Sequence, residues 1–115
     1  MKYGLSDAAV KKIHNVFARY PEVEKAILYG SRAKGDYKNG SDIDMTLSGG
    51  DDITVSVLGK IMEDIDDLLL PYTVDLSIFS RISDQEVINH IRRVGVIFYE
   101  KTEESTALLK EKGNG

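Results

Sequence analysis

A chain of 115 residues, 42% hydrophobic and 30% charged, is expected to form one domain with a core that needs no staples. The absence of cysteine excludes disulfides and thiolate zinc sites. No apolar run has membrane-spanning length, and Met1 to Asp7 lacks the apolar core of a signal peptide, so a cytoplasmic protein is expected. A net charge of −4, from 15 basic and 19 acidic residues, argues against a free-standing nucleic-acid binder, which carries a basic face.

Taken in chain order, Ser6 is placed to cap a helix, with Asp7 favourable in its first turn. Ala9, Ile13, Val16, Phe17 and Tyr20 recur at helical spacing, and Pro21 ends the run. His14 falls beside this stripe and reads as structural. Val23–Tyr29 is a first strand, followed by a polar loop over residues 34–41 with the turn residues to be mobile. A second strand spans residues 42–47, and Ser48-Gly49-Gly50-Asp51-Asp52 turns into a helix over residues 53–69. Its stripe is Val57, Leu58, Ile61, Met62, Ile65, Leu68 and Leu69. Glu63, Asp64, Asp66 and Asp67 lie largely off that stripe, as a solvated helix face does.

Pro71 stops the helix, and residues 73–79 alternate as a third strand. Ser83-Asp84-Gln85-Glu86 has the capping-box pattern and opens a helix with Val87, Ile88 and Ile91. His90 belongs to it without belonging to any motif. Arg92 and Arg93 suit the last turn, Gly95 ends it, and residues 96–99 form a final strand whose apolar side chains could serve an interface. The folded domain is expected over residues 1–100. Residues 101–115 read as a polar, flexible tail with a weak helical turn at Ala107-Leu108-Leu109. The order of elements suits an α+β domain, a small mixed sheet with helices packed against it.

The stretch from Gly30 to Asp44 organises the rest. A strand ends in Gly30-Ser31, a polar loop crosses over, and a new strand opens with Asp42 and Asp44. Residues two apart on a strand share a face, so these carboxylates aim at one place while Ile43 turns into the core. Paired hard oxygen ligands with room for water and phosphate suit magnesium. Gly30 permits close backbone approach. A helix starting at Ser31 would present free N–H groups to an anion, with Arg32 and Lys34 adding positive charge. Asp75, in the middle of the third strand, lies on that strand's polar side; an exposed sheet face and a third metal ligand both account for it. Gly35 and Gly40 have Walker A spacing, but Ser41 stands where lysine is required, and no GxGxxG run is present.

Tyr29-Gly30-Ser31-Arg32-Ala33-Lys34-Gly35, followed by Ser41-Asp42-Ile43-Asp44 and a later strand aspartate, resembles the polymerase-beta-type nucleotidyltransferase superfamily. It is closest in pattern to the minimal nucleotidyltransferases, often called MNT. The resemblance implies a palm-like sheet and transfer of a nucleotidyl group from a magnesium-bound nucleoside triphosphate, with release of pyrophosphate; AMP from ATP is the expectation the family gives, the base not being readable from the residues. It implies two magnesium ions held by Asp42 and Asp44, with Asp75 joining at the metal nearer the attacking hydroxyl and assisting its deprotonation. Gly30 and Ser31 would hold the distal phosphates, and Arg32 and Lys34 would be further phosphate contacts.

Larger members of that superfamily carry extra domains for the acceptor, and this chain has almost nothing after the palm. The resemblance therefore implies a partner, a helical HEPN protein. The MNT protein would be the antitoxin of a toxin–antitoxin pair, in some cases placing AMP on a tyrosine of the HEPN ribonuclease. Two other readings stand beside this one. The chain could be an antitoxin that masks its partner by contact alone, or a small-molecule transferase whose pocket a helical partner completes.

Overall fold

The computed structural model describes residues 2–102. The first helix, α1 (Asp7–Ala18), begins where the Ser6 hydroxyl accepts the Ala9 N–H at 3.1 Å, as its N-cap position predicts. It is followed by β1 (Val23–Tyr29), a short α2 (Gly30–Lys34) and β2 (Ile43–Gly49). Then come α3 (Val55–Asp66), β3 (Val74–Ile78), a 3-10 turn (Phe79–Arg81), α4 (Gln85–Val94) and β4 (Val96–Glu100).

The strands hydrogen-bond in the order β3-β2-β1-β4. β1 is antiparallel to both β2 and β4, whereas β2 and β3 run parallel. A parallel pair needs a crossover, and α3 supplies it. The sheet is thus mixed, as the element order predicts.

Alternation along the strands divides the sheet into two faces. Ala26 and Leu28 of β1, Ile43, Met45 and Leu47 of β2, and Leu76 and Ile78 of β3 are buried on one face. Ile13, Val16 and Phe17 of α1 and Ile61 and Ile65 of α3 join them in a single core. α4 packs against β1 on the other face, where a side chain at Gly95 would stand 2.8 Å from Ile27. That face carries Tyr29, Asp44, Thr46, Asp75 and Ser77.

Several boundaries differ from the sequence reading. β2 begins at Ile43 and not at Asp42. α3 spans twelve residues, not the expected run over 53–69. Its start is set by the Thr54 side chain, which accepts the Val57 N–H at 3.2 Å. Its end comes early: the Leu68 and Leu69 N–H groups bond three residues back, to the Ile65 and Asp66 carbonyls at 3.0 and 3.1 Å, and the chain turns through Leu69 at φ 54. Asp84, not Ser83, caps α4, its side chain accepting the Glu86 N–H at 2.9 Å.

The loop over residues 34–41 is organised by its own hydrogen bonds. The Lys38 N–H donates to Ser41 Oγ at 2.8 Å and the Ser41 N–H to the Lys38 carbonyl at 3.0 Å. His14 is structural as expected, its Nε2 lying 2.6 Å from the Phe98 carbonyl oxygen. Lys101 donates from its N–H to the Glu24 carbonyl at 2.8 Å, so the ordered sheet edge extends one residue past β4. The expected turn at Ala107-Leu108-Leu109 lies outside the described residues. Among the described residues, no helix is long and apolar enough to cross a membrane.

Candidate active site

The parallel register of β2 and β3 pairs Asp44 directly with Asp75. In-register neighbours on adjacent strands share a face, so the two carboxylates stand side by side. Asp42 precedes β2 by one residue and is exposed, as is Asp75; Asp44 is half-buried between them. Burial pushes the Asp44 carboxyl above the usual carboxylate range, Asp75 and then Asp42 push it further, and His90 opposes them. Asp75 and Asp42 are therefore both near enough to act on the Asp44 carboxyl. The strand topology brings Asp75 to the pair.

Gly30 closes the site from the β1 side. Its φ is +74, and a Cβ added there would lie 2.6 Å from Asp44 Oδ2. Glycine is thus required twice at this position, for left-handed backbone and for room beside a carboxylate. It opens α2, one residue earlier than the expected start at Ser31, with Tyr29 as an N-cap that makes no side-chain capping bond. Ser31 follows as the second residue of α2, half-buried. The pairing of Tyr29 with Asp44 across β1 and β2 sets this turn against the carboxylates.

Arg32 corrects the sequence reading. It is 2% exposed, and each of its three nitrogens donates to backbone. Nε and Nη2 donate to the Ser41 carbonyl at 3.0 and 2.8 Å, and Nη1 donates to the Tyr3 carbonyl at 2.9 Å. The guanidinium lies 5.4 Å from the Tyr37 ring centroid and 5.0 Å from that of Tyr72, within cation–π range. It clasps the loop before Asp42 to the N-terminus and is not presented to a phosphate. Lys34 is exposed in the last turn of α2 and makes a surface ion pair with Asp36 at 3.4 Å, a contact of small value.

Two residues at the site were not singled out from the sequence. His90 packs edge-on against Tyr29, with ring centroids 6.1 Å apart, and its charge reaches Asp44. Tyr29 is half-buried at the end of β1. Burial raises its hydroxyl pKa, the neighbouring Ser77 side chain works against this, and Asp44 and Asp75 raise it further. Below them, Ser77 Oγ donates to Thr46 Oγ1 at 2.8 Å, linking β3 to β2 beneath the carboxylates. The signal for His90 was its position three residues after Val87 and four before Val94, on the inward face of α4.

Among the described residues, no group of three or more histidine, aspartate or glutamate side chains is arranged to hold a metal ion. Asp44 and Asp75 put two hard carboxylates on one face of the sheet. That fits magnesium, which keeps waters and phosphate oxygens among its ligands and is seldom wholly enclosed by protein.

Residues 11–104 match the family model described as polymerase beta, nucleotidyltransferase. No curated protein sequence matches the chain. Among solved structures, the fold is similar to a chain of a toxin–antitoxin complex with AMP-PNP, at TM-score 0.64 and 15% identity over 96% of this chain and 86% of that one. It is also similar to a chain of a complex between the tri-AMPylated Shewanella oneidensis HEPN toxin and an MNT antitoxin. There the TM-score is 0.61 and the identity 14%, over 96% of this chain and 85% of that one. Another similar structure, also from Shewanella oneidensis, has TM-score 0.60 and 14% identity over 94% of this chain and 82% of that one. With the family model covering the elements from within α1 to past β4, the chain belongs to the polymerase-beta nucleotidyltransferase family.

Proposed function

We propose that the protein is a magnesium-dependent adenylyltransferase that places AMP from ATP on a hydroxyl of a helical, HEPN-type partner, as the cytoplasmic antitoxin of a toxin–antitoxin pair. The observation that carries the proposal is the register of Asp44 with Asp75, with Gly30 fitted against Asp44 from the other side. Family membership supports the class of reaction. The folds of the toxin–antitoxin complexes, one with AMP-PNP and one with an AMPylated toxin, support the donor and the partner.

Asp42, Asp44 and Asp75 are the residues that would hold magnesium, which would supply charge neutralisation at the triphosphate and stabilise the entering and leaving oxygens. The chain's own groups do the aligning. Gly30 and Ser31, at the start of α2 beside Asp44, would offer backbone N–H groups to the distal phosphates. Asp44, the more buried carboxylate, sits deeper in the site. Asp75 is exposed on the edge strand, where a hydroxyl carried by another protein can reach it, and its carboxylate is the base for that hydroxyl proton.

The test is incubation with magnesium, labelled triphosphates and the HEPN-type partner, followed by mass spectrometry of both proteins. The expected product is an AMP adduct on a partner tyrosine, lost with Asp42→Asn. Neutralisation of the partner by Asp42→Asn as complete as by wild type would instead favour masking by contact.

A further inference from the structure

His90 and Asp75 stand on opposite sides of Asp44. The strands run in the order β3-β2-β1-β4. Asp44 has Asp75 as its register partner on β3 and Tyr29 as its register partner on β1. α4 packs against both β1 and α2, and its His90 ring meets the Tyr29 ring edge-on, with centroids 6.1 Å apart. The half-buried His90 is near enough to Asp44 to oppose the rise of its carboxyl pKa. One residue past Tyr29 the chain turns through Gly30 into α2. His90 therefore flanks the carboxylates where the Gly30-Ser31 turn begins, and Asp75 flanks them at the exposed sheet edge.

The fold makes little use of this imidazole. His14 is held by the Phe98 carbonyl oxygen, 2.6 Å from its Nε2. Among the described residues, no hydrogen bond engages a ring nitrogen of His90, and its contact with Tyr29 is one of ring packing. Either neutral tautomer of imidazole offers an N–H donor. The two cations of α2 are engaged elsewhere. Arg32 donates to backbone from each of its three nitrogens, and Lys34 pairs with Asp36 on the surface.

In an in-line displacement at phosphorus the entering and leaving oxygens lie on opposite sides. With the acceptor hydroxyl at Asp75, the leaving group lies on the side of Gly30 and His90. We propose that His90 is a substrate-contacting residue whose imidazole N–H donates a hydrogen bond to the leaving pyrophosphate of the bound triphosphate. The acceptor oxygen forms the new bond to the α-phosphorus, its proton passes to Asp75, and pyrophosphate departs with the bridging oxygen. Negative charge grows on that pyrophosphate as the bond breaks, so a fixed donor there gains strength in the transition state. The inference rests on the nucleotidyltransferase reading and adds to it the side chain that holds the leaving group.

His90→Phe keeps a ring against Tyr29 and removes the donor, whereas His90→Gln keeps a donor. The probes are α,β-methylene ATP with magnesium, inorganic pyrophosphate with magnesium, and AMP, each titrated into the isotope-labelled full chain and followed by amide shifts. His90→Phe should weaken binding of the ATP analogue and of pyrophosphate at least about tenfold, with AMP binding and melting temperature unchanged. His90→Gln should retain most of the wild-type affinity for both. Undiminished binding of the analogue by His90→Phe would overturn the inference. So would a parallel loss of AMP affinity, which would make His90 a support for the site as a whole. Failure of the wild type itself to bind the analogue would overturn the nucleotidyltransferase reading, and this inference with it.

Discussion

Asp44 and Asp75 are register partners on the two parallel strands of an otherwise antiparallel sheet. The β2–α3–β3 crossover exists to make that pairing possible. It sets like charges side by side next to Gly30, an arrangement that costs stability.

That cost is measurable at Asp44. Its carboxyl pKa is raised by burial and by Asp75 and Asp42, so the folded chain holds this proton more tightly than the unfolded chain does. The ionised form is therefore unfavourable in the fold: stability is greatest below the unfolded-state pKa and falls as pH rises through the folded one. Asp44→Asn should raise the melting temperature of the metal-free protein at neutral pH by a few degrees, the scale that a fraction of a kcal/mol sets for a domain of this size. The gap should close in acid. The same variant should lose nucleotidyl transfer. Thermal melts from neutral pH down through the carboxylate range check the sign.

Gly30→Ala should harm both folding and chemistry. Left-handed backbone at a residue with a side chain costs about 1–2 kcal/mol, and the new methyl would displace the Asp44 carboxylate that lies 2.6 Å from the Cβ position. A modest fall in melting temperature with a much larger fall in transfer rate is expected. Steady-state kinetics at a temperature where the variant is fully folded separates the two effects.

Arg32→Met should behave as a folding variant. It strands the Tyr3 and Ser41 carbonyls and removes the cation between two tyrosine rings. Unsatisfied acceptors and a lost cation–π contact together predict about 3 kcal/mol of destabilisation. Lysine should not rescue it, since an ammonium cannot fork between the two carbonyls. Were Arg32 a phosphate contact alone, denaturant melts would be unchanged and only the KM for the nucleotide would rise.

Much of this was legible locally and some of it was not. The two-residue spacing of Asp42 and Asp44, and Gly-Ser at a strand end, are short-range patterns, and parity placed Asp75 on a polar face. That its neighbour would be Asp44 depended on strand order and register, which no window of sequence contains. The role of Arg32 was hidden for the same reason: its partners Tyr3, Ser41 and Tyr72 come from three separate segments. His90 was passed over because it belongs to no motif, although its spacing from Val87 turned it inward. The early end of α3 lies in the tightened turn before the left-handed Leu69, and the Thr54 and Asp84 caps displaced the expected boundaries by a residue or two.

Tyr20 sets an alkaline limit. Burial raises its hydroxyl pKa to about 12, with the hydrogen bond to Asp64 and that residue's charge adding to the effect. The unfolded residue ionises near 10, so the stabilising contribution is complete below that pH and is lost as pH rises toward 12. Tyr20→Phe should cost about 1 kcal/mol at neutral pH through the lost hydrogen bond. It should also lose stability less steeply than wild type between those two values. Denaturant melts of both proteins across that range test the slope.

The central claim is that Asp42, Asp44 and Asp75 form one divalent-cation site for a bound triphosphate. Manganese serves as a paramagnetic stand-in, titrated into the protein with a non-hydrolysable ATP analogue and followed by electron paramagnetic resonance. Asp75→Asn is predicted to weaken manganese binding at least about tenfold, or about 1.4 kcal/mol, as strongly as Asp44→Asn does, with both variants still folded. Wild-type affinity in Asp75→Asn would contradict the account.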